Sequence, residues 1–94
     1  MISIIICHHK GTLLYQTLES VYASQDAVYE VIVVSSLYLD NPILKYARAK
    51  WKEAKFIQCE GGPDVKRNLG AKYAKGYYLA FFDDDVELTR SALS

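Results

Sequence analysis

Apolar residues of this chain gather in four short runs: Ile2 to Cys7, Val31 to Val34, Phe56 to Cys59, and Tyr77 to Phe82. The runs are rich in β-branched and aromatic residues, and the first two scarcely alternate with polar ones. Such runs suit strands covered on both faces, as in a parallel α/β sheet. The gaps carry a helical period instead. Leu14, Leu18, Val21 and Tyr22 recur at helical spacing in the first gap, with Gly11-Thr12 as its start. The second gap opens on Asp40-Asn41-Pro42, a capping residue followed by proline at the first helical position, and continues with the stripe Leu44, Ala47 and Trp51. The third begins at Gly61-Gly62-Pro63-Asp64, places Val65, Leu69 and Tyr73 on one face, and ends at Gly76. The predicted order is β-α-β-α-β-α-β, with right-handed crossovers and the functional loops at the carboxyl ends of the strands.

Composition narrows the class without changing this picture. The 94 residues suffice for one small domain, 1–94, with no repeat, linker or low-complexity tract. Eleven basic and eleven acidic residues cancel, which gives no support to nucleic-acid binding or a basic membrane-surface patch. No apolar run approaches the ~20 residues that span a bilayer. The amino terminus lacks a basic leader and a cleavage site, so it reads as a strand rather than a secretory signal. Cys7 and Cys59 have no CxxC spacing and fit the reduced thiols of a cytoplasmic protein.

The chemistry concentrates after the fourth run, at Phe81-Phe82-Asp83-Asp84-Asp85-Val86-Glu87. In an extended segment alternate side chains share a face, so Asp83 and Asp85 point together and Asp84 points away. Two carboxylates on one face at a strand exit make a hard-oxygen site for Mg²⁺ or Mn²⁺. Such an ion neutralises charge on a departing diphosphate. A solvated acidic turn is the other reading of the triplet. The apolar strand that ends abruptly in acids favours the functional one.

The stretch Gly76 to Asp85 resembles the strand leading into the DxD motif of family 2 glycosyltransferases. The likeness continues upstream in register. Ser3-Ile4-Ile5-Ile6 resembles the opening strand, Leu18-Glu19-Ser20-Val21 with Gln25 the first helix and its turn, and Glu30 to Val34 the second strand. Gly61-Gly62-Pro63 through Lys66-Arg67-Asn68-Leu69-Gly70 resembles the segment before the DxD strand. The resemblance implies a GT-A fold: a Rossmann-like three-layer α/β/α domain with a mostly parallel four-stranded sheet in the order 3-2-1-4. It covers the amino-terminal, donor-binding half of that domain, and the chain reads as truncated before the acceptor half.

By the same resemblance, Asp85 coordinates the metal on a nucleoside-diphosphate sugar, and Asp83 contacts the ribose or helps hold the metal. Arg67 lies near the base or phosphates, where a planar guanidinium donates several hydrogen bonds; without the motif it reads as a surface arginine. The implied reaction is inverting transfer to an unknown acceptor, with the catalytic base outside this chain, so the 94-residue chain alone is expected to be inactive.

Two loops depart from the family. Ser35-Ser36 stands where an acidic pair usually follows the second strand, and Ser36 can hydrogen-bond the base but supplies no carboxylate. Cys7-His8-His9-Lys10 replaces a loop that usually carries proline and an aromatic residue. His9 is the candidate for stacking on the base, and Lys10 for approaching a phosphate. Adjacent His8 and His9 face opposite ways in an extended loop and do not chelate. In the 3-2-1-4 order, strand two separates Cys7 from Cys59 by roughly 9–10 Å, beyond disulfide reach. Loss of the acceptor half would expose a sheet edge and favour self-association.

Two other classes stay open. One is a nucleotide-sugar-binding module without turnover. The other is a phosphoacceptor receiver domain, but that class needs its acidic pair after the first strand, where this chain has Cys7-His8-His9.

Overall fold

The computed structural model describes residues 2–23, 28–76 and 78–83. Seven elements follow the expected order: β1 (Ile2–His8), α1 (Leu13–Ala23), β2 (Val28–Ser35), α2 (Pro42–Lys50), β3 (Lys55–Gln58), α3 (Pro63–Tyr73) and β4 (Tyr78–Asp83). The sheet order is β3-β2-β1-β4, and all three pairings are parallel.

Alternation along the two central strands explains why their sequences carry no polar face. Ile4, Ile6, Val31 and Val33 point to one side, where they pack with Leu14, Leu18 and Val21 of α1 and Leu44 and Ala47 of α2. Ile5, Cys7, Ile32 and Val34 point to the other side, where Leu69 and Ala71 of α3 lie against them. Three layers result, with α1 and α2 on one face and α3 on the other, as right-handed crossovers require for this order.

The second helix starts as expected: Asn41 Oδ1 accepts the Ile43 N–H at 3.0 Å, and Pro42 follows. Trp51 closes it, its N–H donating to Ala47 O at 2.8 Å. Tyr15 of α1 joins the two helices by donating its hydroxyl to Ile43 O at 3.1 Å.

The third helix corrects the sequence reading in two ways. Its buried residues are Lys66 and Gly70, whereas Val65 and Tyr73 are each 51% exposed and only Leu69 of the expected stripe packs inward. Glycine decides the face. A Cβ on Gly70 would come within 2.5 Å of Ile5 Cγ2, so the bare backbone lets α3 sit close to β1. Gly76 does not end the helix, which is closed at Ala74. Gly76 instead donates its N–H to Ser3 Oγ at 2.8 Å, and a Cβ there would meet that oxygen at 2.5 Å.

Ser3 belongs to a polar knot at the amino edge of the sheet. Its hydroxyl donates to Glu30 Oε1 at 2.9 Å, and Glu30 also accepts the Lys75 N–H and pairs with Lys55 Nζ at 3.1 Å. Burial pushes the Glu30 carboxyl up, but the Lys75 amide, the Lys55 ammonium and the Ser3 hydroxyl together hold it below the ordinary value of 4.5. Cys7 and Cys59 are not joined by a disulfide. Among the described residues no helix is long and apolar enough to cross a membrane.

Candidate functional site

The strand order reverses between β1 and β4: the chain leaves β1 towards β2, and reaches β4 only after crossing back by α3. In open parallel sheets the crevice at the carboxyl end of such a switch point is where ligands sit. Four residues end the strands along that edge: His8, Ser35, Gln58 and Asp83. His8 is in register with Ser35, Ser35 with Gln58, and Cys7 with Asp83.

His8 is fully buried and organises the edge. Its Nε2 lies 2.9 Å from the carbonyl oxygen of Gly11, which can only accept, so Nε2 carries the proton. Nδ1 of the neutral ring is then an acceptor, and the Ser35 hydroxyl donates to it at 2.7 Å. Ser35 Oγ in turn accepts the Leu37 N–H at 3.0 Å. One relay thus runs from the loop after β2, through Ser35 and His8, to the loop after β1. Gly11, at φ +103°, supplies the left-handed turn that brings its carbonyl round. Sequence reasoning passed over His8 because adjacency to His9 ruled out chelation. The available signal was its place at the end of an uninterrupted apolar strand, where a polar residue needs a buried partner.

The sequence candidates fall as follows. His9 is exposed in the loop after β1. Ser36 follows β2 directly; its N–H donates to His8 O at 2.9 Å, and its carbonyl accepts from Gln58 Nε2 at 3.5 Å. Asp83 is the last residue of β4. These three share the carboxyl edge. Arg67 stands on α3, with Nη1 3.5 Å from Asp64 Oδ1, a long contact between a partly exposed guanidinium and an almost fully exposed carboxylate. Asp85 lies outside the described residues. Within the described residues, no group of three His, Cys, Asp or Glu side chains is placed to hold a metal ion.

Sequence reasoning also missed Lys66. This lysine is 3% exposed, and its Nζ donates to Gly61 O at 2.8 Å, in the loop that leads into α3. Two concavities, of about 490 and 410 Å³, lie elsewhere, along α2 and the turn after it. Their lining includes Arg48 and Phe56 in one and Tyr22 and Trp51 in the other, and none of the edge residues.

Comparison with known proteins agrees with the fold. The model of the family described as "Glycosyl transferase family 2" matches residues 3–94. A protein of Rickettsia bellii (strain RML369-C), described as an "Uncharacterized glycosyltransferase", is 32% identical over 72 residues, which cover 74% of this chain and 10% of that protein. The matched region therefore spans about a tenth of that relative's length.

Proposed function

The chain belongs to glycosyl transferase family 2, and from that membership we propose that it forms the donor-binding part of an enzyme that transfers sugar from a nucleoside diphosphate to an acceptor. One observation carries the proposal beyond the family match. The strand that ends in Asp83 lies next to β1, at the carboxyl side of the switch point, where an α/β sheet takes its ligand.

In this reading the nucleoside diphosphate lies along the carboxyl edge. Asp85 and Asp83 are the residues that would hold Mn²⁺ or Mg²⁺, with Asp83 also near the ribose. Their hard carboxylate oxygens suit such an ion. When bound, the ion neutralises charge on the diphosphate leaving group. Arg67 reaches the base or phosphates, His9 stacks on the base, and Ser36 hydrogen-bonds it in place of a carboxylate. The relay from Ser35 through His8 to Gly11 fixes the two loops that carry Ser36 and His9. The base that deprotonates the acceptor hydroxyl comes from outside these residues.

The proposed compartment is the cytoplasm, a reading that rests on the spacing of Cys7 and Cys59 in the sequence. Among the described residues β4 is an edge strand, and that edge is the surface through which the chain would self-associate.

Calorimetric titration with UDP, GDP, CDP and dTDP, each with and without Mn²⁺, tests the reading. Metal-dependent binding that discriminates between bases supports it. No binding of any nucleotide at millimolar concentration contradicts it.

A further inference from the structure

The second helix carries charge in an order that the helix itself does not favour. Arg48 and Lys50 stand in its last turn, where cations complement the negative end of the helix dipole. Lys45 stands near the opposite, positive end, and no acid in the first turn offsets it. Lys45 and Arg48 are three residues apart, which makes them neighbours on one face, and like charges so placed oppose each other. Lys52 adds a third cation from the turn that follows the helix.

These three cations line one concavity of about 490 Å³ between α2 and β3, together with Ala49, Ala54 and Phe56. Ala54 and Phe56 are partly buried against the core and form its floor, while Lys45, Arg48 and Lys52 are exposed around it. Arg48 is tethered there, its Nη1 donating to Leu39 O at 3.3 Å. The opposite flank of the helix is occupied by α1: Tyr46 meets Tyr15 with ring centroids 4.9 Å apart, and Lys50 pairs with Glu19 at 3.0 Å. Nearby acids are directed away from the groove. Glu30 pairs with Lys55 at 3.1 Å, and Glu53 lines the other concavity beside Tyr22. Among the described residues, the groove is lined by three positive charges and no negative one.

Shape and charge together select the ligand. The volume falls in the range of small-molecule pockets, about 300–1,000 Å³. Its apolar atoms lie at the floor rather than projecting beyond the cations, as insertion into a lipid surface would require. A phosphate ester carries about 1.5 to 2 negative charges near pH 7, so two such groups match three cations. A guanidinium flanked by ammonium groups suits them, the one giving paired hydrogen bonds and the others point charges.

We propose that the groove between α2 and β3 binds a small soluble molecule bearing two or more phosphate groups, at a site separate from the carboxyl edge. Arg48 grips one phosphate, and Lys45 and Lys52 neutralise the charge on either side. The lining includes none of His9, Ser36, Arg67 or Asp83, so this site does not depend on the donor-binding reading.

Inorganic tripolyphosphate, without nucleotide or metal, is the probe. In an amide NMR titration of the full chain, shifts are expected to centre on residues 45–56. Arg48→Gln is expected to weaken binding by about tenfold, and Lys45→Gln or Lys52→Gln by about threefold each. Lys72→Gln, an exposed lysine of α3, should leave affinity unchanged. Without ligand, Lys45→Gln and Lys52→Gln should melt at the same temperature as the natural chain or higher, because each relieves repulsion across the groove. Lower melting of both would show that the lysines serve the fold, and would overturn the site. Equal weakening by Lys72→Gln would reduce it to diffuse charge attraction. Shifts centred on residues 8–11 and 35–37 would move the probe to the carboxyl edge and also overturn it. Tighter binding of citrate than of tripolyphosphate, or binding only to anionic vesicles, would refute the ligand class. Absence of binding up to about 10 mM would refute the site outright.

Discussion

The Nδ1 atom of His8 lies 2.7 Å from Ser35 Oγ, joining residues 27 apart in sequence at the carboxyl ends of β1 and β2. The pair is buried, and each member serves a second partner, Gly11 O for His8 and the Leu37 N–H for Ser35.

Removing either member strands the other. Ser35→Ala removes the hydroxyl that meets both the Leu37 amide and His8 Nδ1, and should cost about 1–3 kcal/mol. His8→Ala also opens a cavity and should cost about 2–4 kcal/mol. Because the two share one network, the double variant should be less destabilised than the sum. Urea unfolding measures all three. Nitrogen NMR should find His8 as the Nε2–H tautomer; the Nδ1–H form, or strictly additive losses, would break the relay.

Glu30 makes the fold acid-sensitive at the opposite edge. Its carboxyl titrates below 4.5 in the folded chain, so the ionised form favours folding. The contribution is complete above the unfolded value and fades as the pH falls through the lowered folded value. Glu30→Gln should therefore be less stable than the natural chain at pH 7, by about 1–3 kcal/mol. The gap should narrow below about pH 4.5. A gap that widens on acidification would reverse the sign and refute the assignment.

Gly70 and Gly11 separate two reasons for a glycine. An alanine at Gly70 would drive its Cβ to 2.5 Å from Ile5, so α3 must lift from β1, at a cost of about 1–3 kcal/mol. At Gly11 nothing lies within 4 Å, and only φ +103° resists the substitution, at about 1–2 kcal/mol. The difference lies in hydrogen exchange. Gly70→Ala should release protection along α3, whereas Gly11→Ala should leave α3 untouched.

Much of this architecture could be read from the chain because it depends on local signals. Unbroken apolar runs gave strands buried on both faces, and Asn41-Pro42 gave the start of α2. The sheet order came from the family resemblance, since periodicity carries no information on which strands are neighbours. What went unread depends on close approach between distant segments. Val65, Leu69 and Tyr73 looked like the inner stripe of α3 because apolarity was the only guide. The helix turned instead on Gly70, whose missing side chain sets the distance to Ile5, and brought Lys66 inward with it. His8 and Ser35 escaped for the same reason, since neither is notable until parallel register sets them side by side.

The β4 edge should be sticky. Leu79 and Phe81 are each 40% exposed on an edge strand, with Val65 and Tyr73 of α3 also exposed. Concentration-dependent association should appear in sedimentation at high micromolar protein. Leu79→Lys should suppress it, because a lysine on an edge strand opposes strand addition. Association unchanged in that variant would move the interface elsewhere.

The donor site is the central claim, and a thermal melt with UDP, GDP, CDP and dTDP, each with and without Mn²⁺, tests it most directly. At about 100 times its dissociation constant, a ligand adds about 2.7 kcal/mol, or roughly 10 °C or more for a domain of this size. The account predicts a Mn²⁺-dependent rise with one base, lost in Asp83→Ala/Asp85→Ala. A melt unmoved by every nucleotide, or a rise that persists in the double variant, would contradict it.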